Sequence, residues 1–152
     1  MSLAEEVELL RRIPMFANVE ISKLKLLAFT SERVSFHAGD VLFRQNEMGS
    51  SAFIIVSGEA DIMVDTPGGP LVVAHVGRND FIGEIAILCD VPRTASVVAR
   101  TDMTTLCISK DLFFRMVTEF PQMAVEIMRV LAQRLENTTR QLQEAVSGGK
   151  LA

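Results

Sequence analysis

The spacing of hydrophobic positions changes twice along the chain, and the changes divide it into three zones. Ser2 stands three residues before Glu5, a capping-box spacing, and opens a short helix that runs through Leu9-Leu10 and ends before Pro14. A second short helix is expected over residues 22–29, with Leu24, Leu26, Leu27 and Phe29 on its buried side. Helices this short do not stand alone in water, so both must pack on something larger.

From residue 34 to residue 108, short runs of Val, Ile and Phe alternate with Gly39, Gly49, Gly58, Gly68-Gly69, Gly77 and Gly83. The pattern predicts strands over residues 33–36, 41–43, 52–57, 59–65, 71–76, 94–99 and 104–109, with Thr66-Pro67-Gly68-Gly69-Pro70 as a hairpin tip. Seven or eight short strands at nearly regular spacing imply a mainly β fold with flanking helices, an eight-stranded jelly-roll β-barrel.

The third zone is helical. Asp111 is the expected N-cap of a helix over 112–119, Phe120-Pro121 breaks the chain, and a longer helix follows over 122–145. Met128, Leu131, Leu135, Thr138, Leu142 and Ala145 are spaced 3, 4, 3, 4, 3, a heptad seam. Ile127 and Met128 are expected to pack against the protein's own barrel. Beyond Leu135 the helix projects too far to bury itself, which implies a parallel homodimer through the C-terminal helix. The expected organisation is one domain over 1–147, with N-terminal helices in 1–30, the jelly roll in 33–109 and C-terminal helices in 111–146. Residues 148–152 read as a flexible tail and Lys150-Leu151-Ala152 as a remnant of cloning.

Composition narrows the function. At 152 residues the chain has the length of one domain with one core. Its 15 basic and 19 acidic residues give a formal charge of −4, and it has no Trp or Tyr. The basic face and stacking platforms that nucleic acids require are therefore not in evidence, and direct DNA binding is not expected. The acidic N-terminus is no signal peptide, and no apolar run is long enough to cross a bilayer, so a cytoplasmic protein without membrane contact is expected. Cys89 and Cys107, set in apolar surroundings without a CxxC or Cys/His cluster, read as buried reduced thiols.

The segment with chemistry is Phe81-Ile82-Gly83-Glu84-Ile85-Ala86-Ile87-Leu88 followed by Pro92-Arg93-Thr94-Ala95-Ser96-Val97. Gly83 lets the backbone approach a ligand, and the five residues after it form one helical turn whose first amides lack intrahelical partners and suit phosphate oxygens. Arg93 supplies a guanidinium fork for phosphate. Glu84 would repel a bare phosphate, so its role must lie elsewhere on the ligand, as acceptor for a ribose 2′-hydroxyl. Phosphate donors beside a ribose acceptor describe a nucleotide, and the lack of a P-loop or a metal-binding carboxylate cluster argues against a triphosphate.

This segment resembles the phosphate-binding cassette of the cyclic-nucleotide-binding domain family, found in protein kinase A regulatory subunits, cyclic-nucleotide-gated channels and the bacterial catabolite activator protein. The similarity rests on Gly83-Glu84, Ala86 two residues after the Glu, and Pro92-Arg93-Thr94-Ala95-Ser96-Val97 with the Arg nine positions after the Glu. It extends through residues 45–50, Ala52-Phe53-Ile54-Ile55 and Gly58-Glu59-Ala60. Asn46 replaces the usual Gly but tolerates the left-handed conformation, and Ser50 stands where Asp is frequent. The resemblance implies that Glu84 binds the ribose hydroxyl and that Gly83 allows close approach. It further implies that the amides of Ile85 and Ala86, with Arg93 and the Thr94 hydroxyl, bind the cyclic phosphate, Ala95 completing the cassette. Val73, Ile85 and Val97 are candidate walls for the purine. A second resemblance, to the catabolite activator type, implies that Thr138-Thr139 contacts adenine, one hydroxyl reaching across the dimer.

The expected function is thus a non-enzymatic sensor module for a cyclic nucleotide, cAMP with cGMP as the alternative, acting through its C-terminal helix on a dimer or an unknown output partner. A fragment of a transcription regulator of the catabolite activator type is the first alternative. A cupin-like metal enzyme is the second, weakened because His37 and His75 lie far apart without HxH spacing and read as solvent-facing.

Overall fold

The computed structural model describes residues 2–149. Two N-terminal helices, α1 (Leu3–Arg11) and α2 (Ile21–Thr30), are joined through a 3-10 turn at Pro14–Phe16. The Ser2 hydroxyl accepts from the Glu5 amide at 3.2 Å, which is the expected cap. In α2 the buried side is Leu24, Leu27 and Ala28, whereas Leu26 and Phe29 are exposed, Phe29 to 79%. A helix this short has one stripe facing the body, and positions 26 and 29 lie off it.

Eight strands follow: β1 (Glu32–Phe36), β2 (Val41–Phe43), β3 (Ser51–Ser57), β4 (Ala60–Thr66), β5 (Gly69–Val76), β6 (Phe81–Ile82), β7 (Ser96–Ala99) and β8 (Met103–Ser109). They form two antiparallel four-stranded sheets, β1-β8-β3-β6 and β2-β7-β4-β5, the strand order of a jelly roll. The two-residue β6 was not among the predicted strands, because two apolar residues before a glycine carry no readable period. It exists through its partner, pairing Phe53 with Ile82 and Ile54 with Phe81.

β3 shows why the barrel and the helices are one body. All of residues 52–56 are buried. Ala52, Ile54 and Val56 enter one apolar cluster with Leu10, Leu24, Leu27, Phe113 and Met123 of the helices. Phe53 and Ile55, on the opposite face, enter the barrel interior with Ile82, Val97 and Met103. A strand covered on both faces reads as a continuous apolar run, as residues 52–56 do.

α3 (Glu84–Cys89) interrupts the barrel between β6 and β7, and α4 (Lys110–Glu119) follows β8. The cap of α4 is Ser109, whose hydroxyl accepts from the Leu112 amide at 3.1 Å, and Asp111 sits inside the first turn instead. Both types cap well, and β8 passes into the helix at Ser109, two residues before Asp111. Phe120, pushed out of helical geometry (φ −127°, ψ 82°) by the proline after it, separates α4 from α5 (Pro121–Gly149). Gly148 and Gly149 belong to this helix rather than to a tail, and the remaining tail residues lie outside those described.

α5 packs on the body through buried Met123 and Ile127, with Leu131 half-buried against the same cluster. Met128 is 59% exposed, contrary to expectation, because it is turned about 100° from Ile127. Residues 135–148 are all exposed. The free apolar stripe is Val125, Met128, Ala132, Leu135, Thr139, Leu142 and Val146, all exposed and spaced 3, 4, 3, 4, 3, 4. It is rotated from the predicted seam, since Leu131 is drawn into the body. Cys89 is exposed and Cys107 only half-buried, so neither is the fully buried thiol expected; α3 presents its outer side to solvent. Among the described residues no helix is long and apolar enough to cross a membrane.

Candidate functional site

The predicted cassette is assembled by β3, β6, α3 and the loop before β7. β6 pairs with β3 and delivers the chain to Gly83, which adopts φ 83°, ψ 7° and serves as N-cap of α3. A side chain here would be strained, and its Cβ would lie 2.7 Å from Nη1 of Arg93. The backbone can turn at this point because the residue is glycine. Glu84 begins the helix and is buried, 5% exposed, with Ala86 and Ile87 also buried and Ile85 outward at 42%.

Arg93 is held from both sides. Its amide donates to Glu47 O at 2.8 Å, and its carbonyl accepts from Asn46, which is left-handed at φ 73° as the sequence allowed. The side chain is 5% exposed. Its Nη1 donates to Gly83 O at 2.9 Å and its Nη2 to Ser51 O at 2.7 Å, while Cζ lies 4.1 Å from the Phe43 ring centroid. Gly49 is also required, since a Cβ there would overlap the guanidinium. No carboxylate lies within ion-pairing distance of Arg93 among the described residues. Burial accordingly pushes its pKa below the ordinary arginine value, opposed by the nearby Cys107, Glu47 and Glu84. A buried cation held by neutral carbonyls is an incomplete site. It calls for an anion.

Glu84 has a partner that the sequence reading missed. Arg134, from the middle of α5, donates through Nη1 to Glu84 Oε1 at 2.8 Å and through Nη2 to the Phe81 carbonyl. The only signal for it was an arginine four residues before Thr138, which places both on one side of the helix. Phe43 and the Ser51 carbonyl were likewise unmarked, whereas Gly49 lies in the 45–50 stretch that the resemblance covers.

Gly83, Glu84, Ala86 and Arg93 are therefore brought together. Thr94 is exposed and Ala95 half-buried in the loop before β7. Val97 points into the barrel interior at 2% exposure, whereas Val73 lies on the edge strand β5 at 44%. Thr138 and Thr139 are exposed on α5, and neither hydrogen-bonds to the cassette among the described residues. Thr138 sits one turn past Arg134 on the body side, and Thr139 falls on the free stripe. His37 and His75 are both exposed and approach different aspartates, Asp102 at 3.8 Å and Asp61 at 2.6 Å.

A jelly roll with a short helix set between two of its strands, a glycine-capped turn and a buried arginine without a carboxylate partner among the described residues makes a pocket suited to an anion. The profile of the cyclic nucleotide-binding domain matches residues 33–120, and the chain belongs to that family. It is 29% identical over 140 residues to a CRP-like cAMP-activated global transcriptional regulator of Mycobacterium tuberculosis, covering 91% of this chain and 62% of the regulator. It is 31% identical over 110 residues to a cAMP-dependent protein kinase regulatory subunit of Colletotrichum orbiculare, covering 72% of this chain and 28% of the subunit. The chain thus spans less than two thirds of either relative's length. Among solved structures, the catabolite activator protein of Thermus thermophilus superposes with a TM-score of 0.77 at 24% identity, over 86% of this chain and 62% of its own. That similarity shows the fold.

Proposed function

We propose that this chain is a non-enzymatic regulatory module that binds a cyclic 3′,5′-nucleotide, cAMP in preference to cGMP, in the cassette of Gly83, Glu84, Ile85, Ala86, Arg93, Thr94 and Ala95. The observation that carries the reading is Arg93, a buried guanidinium without a carboxylate partner among the described residues, beside an oriented buried carboxylate. A cyclic phosphate supplies one negative charge, and the ribose 2′-hydroxyl supplies the donor that Glu84 can accept. The match to a cAMP-activated regulator and to a cAMP-dependent kinase subunit supports cAMP. Val73, Ile85 and Val97 remain the candidate walls for the base.

Calorimetric titration with cAMP, cGMP and AMP tests the proposal. Binding of cAMP with little response to AMP is the expected outcome, and no binding of either cyclic nucleotide overturns it. Glu84→Gln keeps a carbonyl acceptor but loses the charge, so its preference for cAMP over the 2′-deoxy analogue is expected to shrink by about threefold to tenfold. An unchanged preference would show that Glu84 does not read the hydroxyl.

The free stripe of α5 supports a homodimer formed by two such helices, with Thr138 facing the chain's own pocket and Thr139 facing the partner. Exposed Leu135 and Leu142 have no other cover among the described residues. Sedimentation at tens of micromolar protein with cAMP is expected to give a dimer, and Leu135→Lys a monomer, since a buried charge at the seam is strongly disfavoured. Wild-type monomer both with and without cAMP removes the dimer without touching the pocket.

One observation favours a second reading, the sensor part of a DNA-binding regulator. Similarity to the mycobacterial regulator spans 91% of this chain, against 71–85% for kinase regulatory subunits. A helix-turn-helix encoded downstream in the same reading frame would support it, and its absence there would remove it.

A further inference from the structure

The strand β2 breaks the alternation that an extended chain would follow. Val41 pairs with Val98 and Phe43 with Val97, so Leu42 is an extra residue set against a single step of β7. A bulge of this kind re-aims the side chains around it. Leu42 and Phe43, neighbours in the chain, both pack against the interior cluster of Phe53, Ile55 and Val97. In a regular strand one of the two would face the other way.

The inward ring meets the cassette. Phe43 stacks on Phe53 with centroids 6.0 Å apart and planes at 25°, and Phe53 meets Phe36 edge-on at 6.2 Å. Cζ of Arg93 lies 4.1 Å from the Phe43 centroid. The same ring reaches Gly83, where an added Cβ would lie 3.4 Å from Phe43 Cε2. At Gly49 an added Cβ would overlap Cζ and Nε of Arg93, so the guanidinium is closely covered there as well.

We infer that Phe43 is a positioning residue for the phosphate subsite: its ring, aimed by the bulge in β2, fixes the plane in which the Arg93 guanidinium meets the ligand. The inference rests on the nucleotide-binding reading above. The bonds from Nη1 to Gly83 and from Nη2 to Ser51 fix where the guanidinium ends, but leave it free to rock about the line that joins them. A ring at 4.1 Å removes that freedom, because a flat delocalised cation lies best against a π face. The carbonyls take one N–H on each Nη, and the donors that remain lie in the fixed plane, ready for phosphate oxygens. Because the cation is oriented before the ligand arrives, less side-chain freedom is lost on binding. An aliphatic side chain at position 43 would fill the space without offering a π face, and the arginine would then have to be ordered by the ligand.

Calorimetric titration of the whole chain with cAMP, comparing wild type, Phe43→Leu and Phe43→Tyr, tests this, with circular dichroism as the check on folding. Phe43→Leu is expected to bind about threefold to tenfold more weakly, the scale of ordering one long side chain on association. Phe43→Tyr keeps the π face and is expected to stay within about twofold of wild type. A role in packing alone ranks the two the other way, because leucine stays apolar whereas tyrosine brings a hydroxyl into the barrel. Tyrosine binding no better than leucine therefore overturns the inference, as does a loss of less than about twofold in Phe43→Leu.

A second readout follows Arg93 itself. Exchange of its guanidinium N–H groups with water in the empty protein, read by NMR, is expected to speed up in Phe43→Leu and not in Phe43→Tyr. Weaker binding with unchanged exchange would mean that the loss does not pass through Arg93, and it too overturns the inference. Should Phe43→Leu fail to fold, Phe43→Met, unbranched and able to fill irregular space, gives the same comparison. Absence of cyclic-nucleotide binding by the wild type removes the reading beneath it, whereas binding that is indifferent to the ring at position 43 removes the positioning role alone.

Discussion

Arg93→Ala is expected to weaken cAMP binding by about thirtyfold to several thousandfold, the range for removing one partner of a buried, hydrogen-bonded charge pair. Two features place the effect at the large end of site substitutions. The guanidinium is already desolvated in the empty protein, so an arriving phosphate meets a cation that has little water to shed. Its direction is also set beforehand, by the carbonyls of Gly83 and Ser51 and by the Phe43 ring. The fold should survive. The substitution removes a buried cation with no carboxylate partner, and Asn46 and Glu47 still pair with the backbone at position 93. Titration calorimetry checks the affinity and far-ultraviolet circular dichroism checks the fold. A folded variant binding within a factor of two of wild type would remove Arg93 from the site.

Phe113→Ala is expected to lower stability by about 3–5 kcal/mol, the usual range for truncating a fully buried aromatic side chain. Phe113 is 1% exposed. It stacks on Phe81 at 5.7 Å and 16°, and meets Phe114 edge-on at 5.7 Å and 79°. The large end of the range is appropriate because α4 and β3 meet around it, and neither can close the void without losing its other contacts. Loss of the stack also frees Phe81, on which the short β6 and the placement of Gly83 depend. Urea unfolding measures the loss. A midpoint shift equivalent to less than about 1 kcal/mol would mean that the surrounding core collapses into the space.

How much was legible differs between the barrel and the site. Seven strands were visible because Val, Ile and Phe runs and the glycines between them are local signals that need no partner. The cap of α1 and the break at Phe120-Pro121 were visible for the same reason, since each is decided within four residues. Spacing within the cassette could place Gly83, Glu84 and Arg93 in one site because Gly83 turns the chain and a short helix follows it at once. β6 was invisible, being two residues made into a strand by β3. Of the seam read on α5, Leu131 is half-covered by the body, whereas Met128, Leu135 and Leu142 are left open. Periodicity gives the width of an apolar stripe, and the body decides which part of that stripe it covers.

By itself, then, the amino-acid sequence determined the alternation of short strands and glycines, the flanking helices, and the glycine–glutamate–arginine spacing of a phosphate site. These are properties of residues close in the chain, where side-chain volume, left-handed glycine geometry and capping act without distant partners. Tertiary structure alone decided that Glu84 meets Arg134, fifty residues away, and that Arg93 points at the carbonyls of Gly83 and Ser51 rather than at a carboxylate. It also decided that Leu131 is covered while Leu135 is left open. Long-range pairs of this kind depend on how the sheet orients two helices about a common core. That orientation results from packing many side chains at once, and no local run of residues encodes it.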